Sequence, residues 1–325
     1  MNLPAVRKRL IVAALMTASI QQASAAAVPT AEPGGETVLL WPQGVPGAER
    51  VTVRQAIIER SPDGPLRDRF AEHVTQPLIT LFHAKGTPNG ITLLIVPGGG
   101  YVRVVIDKEG FEAAEWFAQH GFECAVLRYR MPADDWAAGP DAPVDDALRA
   151  LRLLRGRSGD PKSLFGVIGF SAGGHLVARL VTEPALAYPR QDAADDVVVR
   201  PDFAVLMYPV IAMTGAATHT GSAQQLLAAG VAPDKLTRYS PNLNVTASTP
   251  PTMLVHAADD ASVPVENSLL MFGALRAAGV RTELHVFDRG GHGFGMRGAV
   301  GLDAAAWPQL VENWALGIAR ANAGP

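Results

Sequence analysis

Cysteine is almost absent from this sequence: Cys124 is the only one among 325 residues. An intrachain disulfide is therefore excluded in any redox compartment. Cys124 sits in "ECAVLRYR", which reads as a strand, and without an activating context it reads as a buried, inert thiol. An excess of charge of either sign is also missing. The formal net charge is −3 with no long basic or acidic run, which removes the electrostatic footprint of a nucleic-acid partner. There is no internal repeat. No Cys/His/Glu cluster suggests a metal site.

Bilayer-length apolar runs are missing as well. Leu10 to Ile20 is too short for a membrane span, which needs about 20 residues. It follows Arg7, Lys8 and Arg9 and precedes Gln21, Gln22 and Ala23-Ser24-Ala25. A basic start, a short apolar middle and an A-x-A site mark residues 1–25 as a secretory signal peptide. Its removal takes away three cations and no anions, leaving residues 26–325 at −6. The expectation is a single secreted or periplasmic domain with no stable membrane association.

What is present is globular: 48% hydrophobic and 18% charged residues. Apolar runs at 78–82, 91–96, 123–130, 165–170, 203–208, 252–256 and 282–287 read as strands, several of them buried on both faces. Helical spacing lies between them, as in Phe111, Ala114, Phe117 and Ala118, or Ala147, Leu148, Leu151 and Leu154. Alternation of this kind predicts an α/β domain with a mostly parallel central sheet and helices on both faces. Residues 37–42 and 51–59 are candidate antiparallel edge strands. The stretch at about 211–250 is partly helical and is either a small cap over the site or a surface excursion.

The chemistry concentrates in "FGVIGFSAGGHLVARL". Gly169-Phe170-Ser171-Ala172-Gly173 fits the nucleophile-elbow pattern, with an apolar strand before it and an amphipathic helix after it. A tight strand-to-helix turn exposes the serine oxygen, and glycines tolerate the strained, crowded backbone. A serine hydroxyl needs a base, and in this arrangement an acid and then a histidine follow downstream. His292, in the loop "GGHGFG", is placed to reach the serine, whereas His285 lies within a strand. Of the adjacent Asp259 and Asp260, the D-x-x-V-P spacing favours Asp260 as the partner of His292. Asp259 then forms the turn or accepts a hydrogen bond from loop backbone. "IVPGGGY" ends a strand with Gly98-Gly99-Gly100, whose N–H groups suit an oxyanion, as does the N–H of Ala172. Tyr101 and Trp136, in loops after strands, are candidates for binding a substrate through their ring faces. His175, on the helix, reads as a packing or cap residue.

With "WPQGVPGA", "PGGGYVRVVIDKEG", "DDALRALRLLR", "GDPKSLFGVIGFSAGGHL", "SPNLNVTASTPPTMLVHAADDASVPVENS" and "ELHVFDRGGHGFG", the chain resembles α/β-hydrolases of the acetylxylan-esterase-like and feruloyl-esterase-like (BD-FAE) type over about residues 41–295. The resemblance implies attack by Ser171 on an ester carbonyl, proton transfer by His292, support from Asp260, and an oxyanion held by Gly99, Gly100 and Ala172. It also implies a small-molecule or glycan ester substrate and no cofactor. Removal of acetyl groups from polysaccharide or oligosaccharide, a broad short-chain carboxylesterase, and a non-catalytic binding module on a hydrolase scaffold are the readings carried forward. Family members often have His where Lys108 stands, a change at the mouth of the site.

Overall fold

The computed structural model describes residue 1 and residues 35–183, 188–227 and 233–322. The signal-peptide reading of residues 1–25 falls outside the described residues, apart from Met1.

The central sheet has eight strands: β1 (Thr37–Leu39), β4 (Leu78–Phe82), β5 (Ile91–Val96), β7 (Glu123–Arg128), β8 (Leu164–Phe170), β9 (Phe203–Met207), β10 (Thr252–Ala257) and β11 (Thr282–Phe287). Their order is β1-β4-β7-β5-β8-β9-β10-β11. From β7 to β11 every pairing is parallel; β4 pairs antiparallel with both β1 and β7, so it alone runs against the other strands, near one edge. This is the α/β-hydrolase fold. The apolar runs become these strands because both faces are covered: β4, β9 and β10 are buried at every position.

The covering helices are α1 (Glu112–Gln119), α2 (Ala142–Arg157), α3 (Ala172–Thr182), α4 (Thr220–Leu227), α5 (Pro233–Arg238), α6 (Glu266–Ala277) and α7 (Trp307–Asn322). The buried face of α3 meets β8 and β9, so the nucleophile turn rests on the centre of the sheet. Helix α2 carries a buried cation, Arg149. It is held by Asp192, Asp195 and the Leu40 carbonyl, which offset the cost of removing it from water.

One expected edge strand belongs elsewhere. Residues 56–59 form β2 of a separate three-stranded antiparallel sheet with β3 (Arg69–Glu72) and β6 (Arg103–Val105). Ile57 and Ile58 stay exposed, so their apolar character reflects no burial in the central core. This small sheet matters because β6 directly follows the glycine turn. The partly helical stretch at 211–250 forms α4, α5 and a short 3-10 turn, Pro241–Leu243. Its His219, Gly221, Gln224 and Gln225 line the cavity that also holds Ser171.

Candidate active site

The crossover from β8 to α3 is built around glycines that admit no side chain. A Cβ on Gly169 would lie 2.3 Å from the Gly173 carbonyl oxygen, and one on Gly173 would lie 2.2 Å from that of Val96. Between them Ser171 adopts φ 52°, ψ −117°, a strained conformation for a residue with a side chain. Its N–H is bonded to Met207 O at 3.0 Å. The next N–H, that of Ala172, opens α3 and has no partner within the helix.

Three chain segments converge on Ser171. His292 Nε2 accepts the Ser171 hydroxyl at 2.8 Å, and its Nδ1–H donates to Asp260 Oδ2 at 2.7 Å. The other carboxylate oxygen, Oδ1, accepts the N–H groups of Ser262 and Val263, both at 2.9 Å. A second, fully buried histidine supports the acid. His256 Nε2–H is shared between Val263 O at 3.0 Å and Asp260 Oδ2 at 3.3 Å, while its Nδ1 accepts from Ser268 Oγ at 2.8 Å. Burial pushes the Asp260 carboxyl pKa up, but the bonds from His256, His292 and Val263 outweigh it and hold the group below the usual carboxylate range. Asp259 instead accepts the Gly291 N–H at 2.8 Å.

On the opposite side, Gly99 (φ 134°) and Gly100 (φ 68°) line the same cavity, of about 460 Å³. Gly99 admits no Cβ, which would lie 2.2 Å from the Arg103 carbonyl oxygen. The preceding peptide plane is fixed at both ends. Tyr129 Oη donates to Pro97 O at 2.9 Å, and the Gly98 N–H donates to Glu109 Oε2 at 2.8 Å. Glu109, 5% exposed, comes from a π-helical turn, Asp107–Phe111. Its Oε1 accepts from Tyr208 Oη at 3.0 Å, and Tyr208 Oη accepts the Gly295 N–H at 3.1 Å. Burial pushes the Glu109 pKa up, and the Gly98 N–H, His292, Tyr208 and Lys108 pull it back only in part.

The two aromatic candidates are corrected. Tyr101 is 1% exposed and Trp136 2%, so neither offers a ring face to a ligand. Tyr101, at φ 62°, turns its ring inward and donates from Oη to His175 Nδ1 at 2.7 Å. His175 Nε2–H donates in turn to Tyr239 O at 2.8 Å. Trp136 lies under the Arg130 guanidinium, 5.0 Å from its ring centroid. The cavity instead carries hydrogen-bonding side chains, among them His219, Gln224 and Gln225. His219 Nδ1 accepts the Ser222 N–H at 3.2 Å, which leaves Nε2–H as the ring's donor. Burial, and to a lesser degree His292, push the His219 pKa down, with Asp260 opposing. Lys108 stands at this cavity too.

The BD-FAE family model matches residues 81–275, more than half of the chain. The chain belongs to the BD-FAE family. The matched span includes Gly99, Gly100, Glu109, Ser171 and Asp260, and stops short of His292. Among curated proteins, the chain is 33% identical over 216 residues to an acetylxylan esterase from Xylanibacter ruminicola, covering 64% of this chain and 42% of that protein. It is 35% identical over 205 residues to an endo-1,4-beta-xylanase B from Butyrivibrio fibrisolvens, covering 62% and 32% respectively. The chain thus spans less than half the length of these relatives. Among solved structures, an acetyl ester-xyloside bifunctional hydrolase from Caldicellulosiruptor lactoaceticus is 33% identical with a TM-score of 0.67, covering 88% of this chain and 98% of that one. A thermophilic esterase from Thermogutta terrifontis shares the fold, with 23% identity, a TM-score of 0.65 and coverage of 88% and 93%.

Proposed function

We propose that this BD-FAE chain is a serine carboxylic-ester hydrolase that removes acetyl groups from xylan-type polysaccharide or oligosaccharide, working outside the cytoplasm after loss of residues 1–25. The observation that carries the chemistry is the unbroken hydrogen-bonded chain from Ser171 Oγ through His292 to Asp260 at the wall of an open cavity. Ser171 Oγ attacks the ester carbonyl while its proton passes to His292 Nε2. Asp260 keeps the Nδ1 proton in place and balances the imidazolium. The tetrahedral oxyanion is held by backbone N–H groups of Gly99, Gly100 and Ala172. The C–O bond then breaks, and the leaving alcohol takes the proton from Nε2. Water, deprotonated by His292, attacks the acetyl-enzyme and releases acetate and free Ser171.

The sugar reading draws on the acetylxylan esterase and acetyl ester-xyloside hydrolase relatives and on the hydrogen-bonding wall of His219, Gln224 and Gln225, which suits a hydroxyl-rich alcohol. A second reading, a broad short-chain carboxylesterase, is favoured by the burial of Tyr101 and Trp136, which removes the expected stacking platform. Acetate release from acetylated xylan and xylo-oligosaccharide, measured beside aryl acetate, butyrate and ferulate hydrolysis, separates the two. Preference for the acetylated glycan supports the first. Equal turnover of all simple esters with none of the glycan establishes the second.

A further inference from the structure

Glu109 is a buried carboxylate with no bonded cation among the described residues, a costly arrangement unless the charge is used. Its two oxygens join the two halves of the site. Oε2 holds the Gly98 N–H, next to the glycines that face the cavity. Oε1 holds Tyr208 Oη, which holds the Gly295 N–H of the His292 loop. The packing is tight on both sides. A Cβ on Gly98 would lie 2.8 Å from both Glu109 Oε2 and Ser171 Cβ, and one on Gly293 would lie 3.5 Å from Glu109 Oε1. The Tyr208 ring stands edge-on to the His292 imidazole with centroids 5.3 Å apart, and Tyr208 has φ 34°. Backbone in that region, for a bulky residue, persists only where its surroundings enforce it.

We propose that Glu109 is a positioning residue of the reaction: it fixes the glycine turn and the His292 loop in a common register, and its charge favours the imidazolium that forms as Ser171 is deprotonated. The proposal rests on the ester-hydrolase reading. It differs from the role of Asp260, which touches the imidazole directly, because Glu109 acts through Gly98, Tyr208 and the field across Gly293. The titratable and charged groups facing Glu109 are Tyr129, Tyr208, His292 and Lys108, and those facing His292 also include Asp260 and His219.

The test uses full-length enzyme with a neutral aryl acetate. Wild-type turnover, together with covalent labelling of Ser171 by a phosphonate, establishes the underlying reading; absence of both removes that reading and the proposal with it. Glu109→Gln keeps the shape and removes the charge. Its kcat is expected to fall roughly 10- to 100-fold at nearly constant KM. The acid limb of its kcat/KM profile is expected to move to lower pH by about half a unit or more, because a nearby negative charge no longer favours the protonated imidazole. Glu109→Asp keeps the charge and shortens the reach, so kcat falls while the acid limb stays in place. A purely structural role moves kcat without moving the limb. Glu109→Gln enzyme with kcat within about twofold of wild type, or with lowered kcat and an unmoved limb, overturns the proposal. If Glu109→Gln does not fold, Tyr208→Phe decides: a roughly tenfold loss of kcat at unchanged KM supports the bridge, and an unchanged kcat overturns it.

Discussion

Asp259 accepts the N–H of Gly291 at 2.8 Å, immediately before the histidine that its neighbour Asp260 holds at 2.7 Å. Two adjacent carboxylates thus grip adjacent positions of one loop, one through backbone and one through the imidazole. The expected consequences are unequal. Asp260→Asn removes the charge and favours the wrong tautomer of His292, and kcat is expected to drop by roughly 10⁴-fold. Asp259→Ala loses one exposed hydrogen bond and is expected to cost less than about tenfold. Aryl acetate kinetics on both variants check the ranking, and an equal loss would reassign the acid.

His256 is the second histidine on the acid, fully buried between Ser268, Val263 O and Asp260. His256→Leu strips donor and acceptor together. It is expected to cost about 1–3 kcal/mol of stability, read by urea unfolding, and to lower kcat by loosening Asp260.

His175 links the pH to the fold. Burial pushes its pKa from 6.5 down to about 3. The unfolded chain therefore binds a proton that the folded chain refuses. The contribution of His175 to stability is complete above pH 6.5 and is lost as pH falls towards 3. Between pH 6.5 and 5 the loss is of order 2 kcal/mol. Comparing wild type with His175→Gln by urea unfolding at several pH values isolates this group. The wild type is expected to weaken more steeply on acidification, and parallel pH profiles would contradict the assignment.

The hydrogen-bonding wall makes a separate claim about selectivity. His219→Ala removes one N–H donor from the cavity. It is expected to lower kcat/KM for an acetylated xylo-oligosaccharide by about 3- to 10-fold relative to an aryl acetate. A ratio that does not change would show that the wall contacts no sugar hydroxyl.

Much of this molecule is legible in the sequence, and the illegible parts have physical reasons. Largely apolar runs locate seven of the eight central strands almost to the residue, and β4, β9 and β10, covered on both faces, need no polar alternation. Ser171 and His292 stand out because glycines flank both, and Asp260 because its spacing from Pro264 leads into the turn before α6. Tyr101 and Trp136 sit in loops after strands, and such a position does not by itself ensure exposure. Tyr101 has positive φ, which turns the side chain into the core, and no sequence pattern announces that for a tyrosine. Glu109 and Tyr208 stayed hidden because they lie 99 positions apart and meet only after the sheet forms. Likewise β3 and β6 are too short and too mixed in polarity to carry a period.

The central claim is that Ser171 carries the acetyl group. Rapid acid quench of the enzyme turning over an aryl acetate, followed by peptide mass analysis, tests it most directly. The account predicts one acetyl adduct on the peptide containing Ser171, accumulating before steady state and absent in Ser171→Ala, which also loses turnover. Acetate release that persists in Ser171→Ala, or an adduct on another residue, would contradict it.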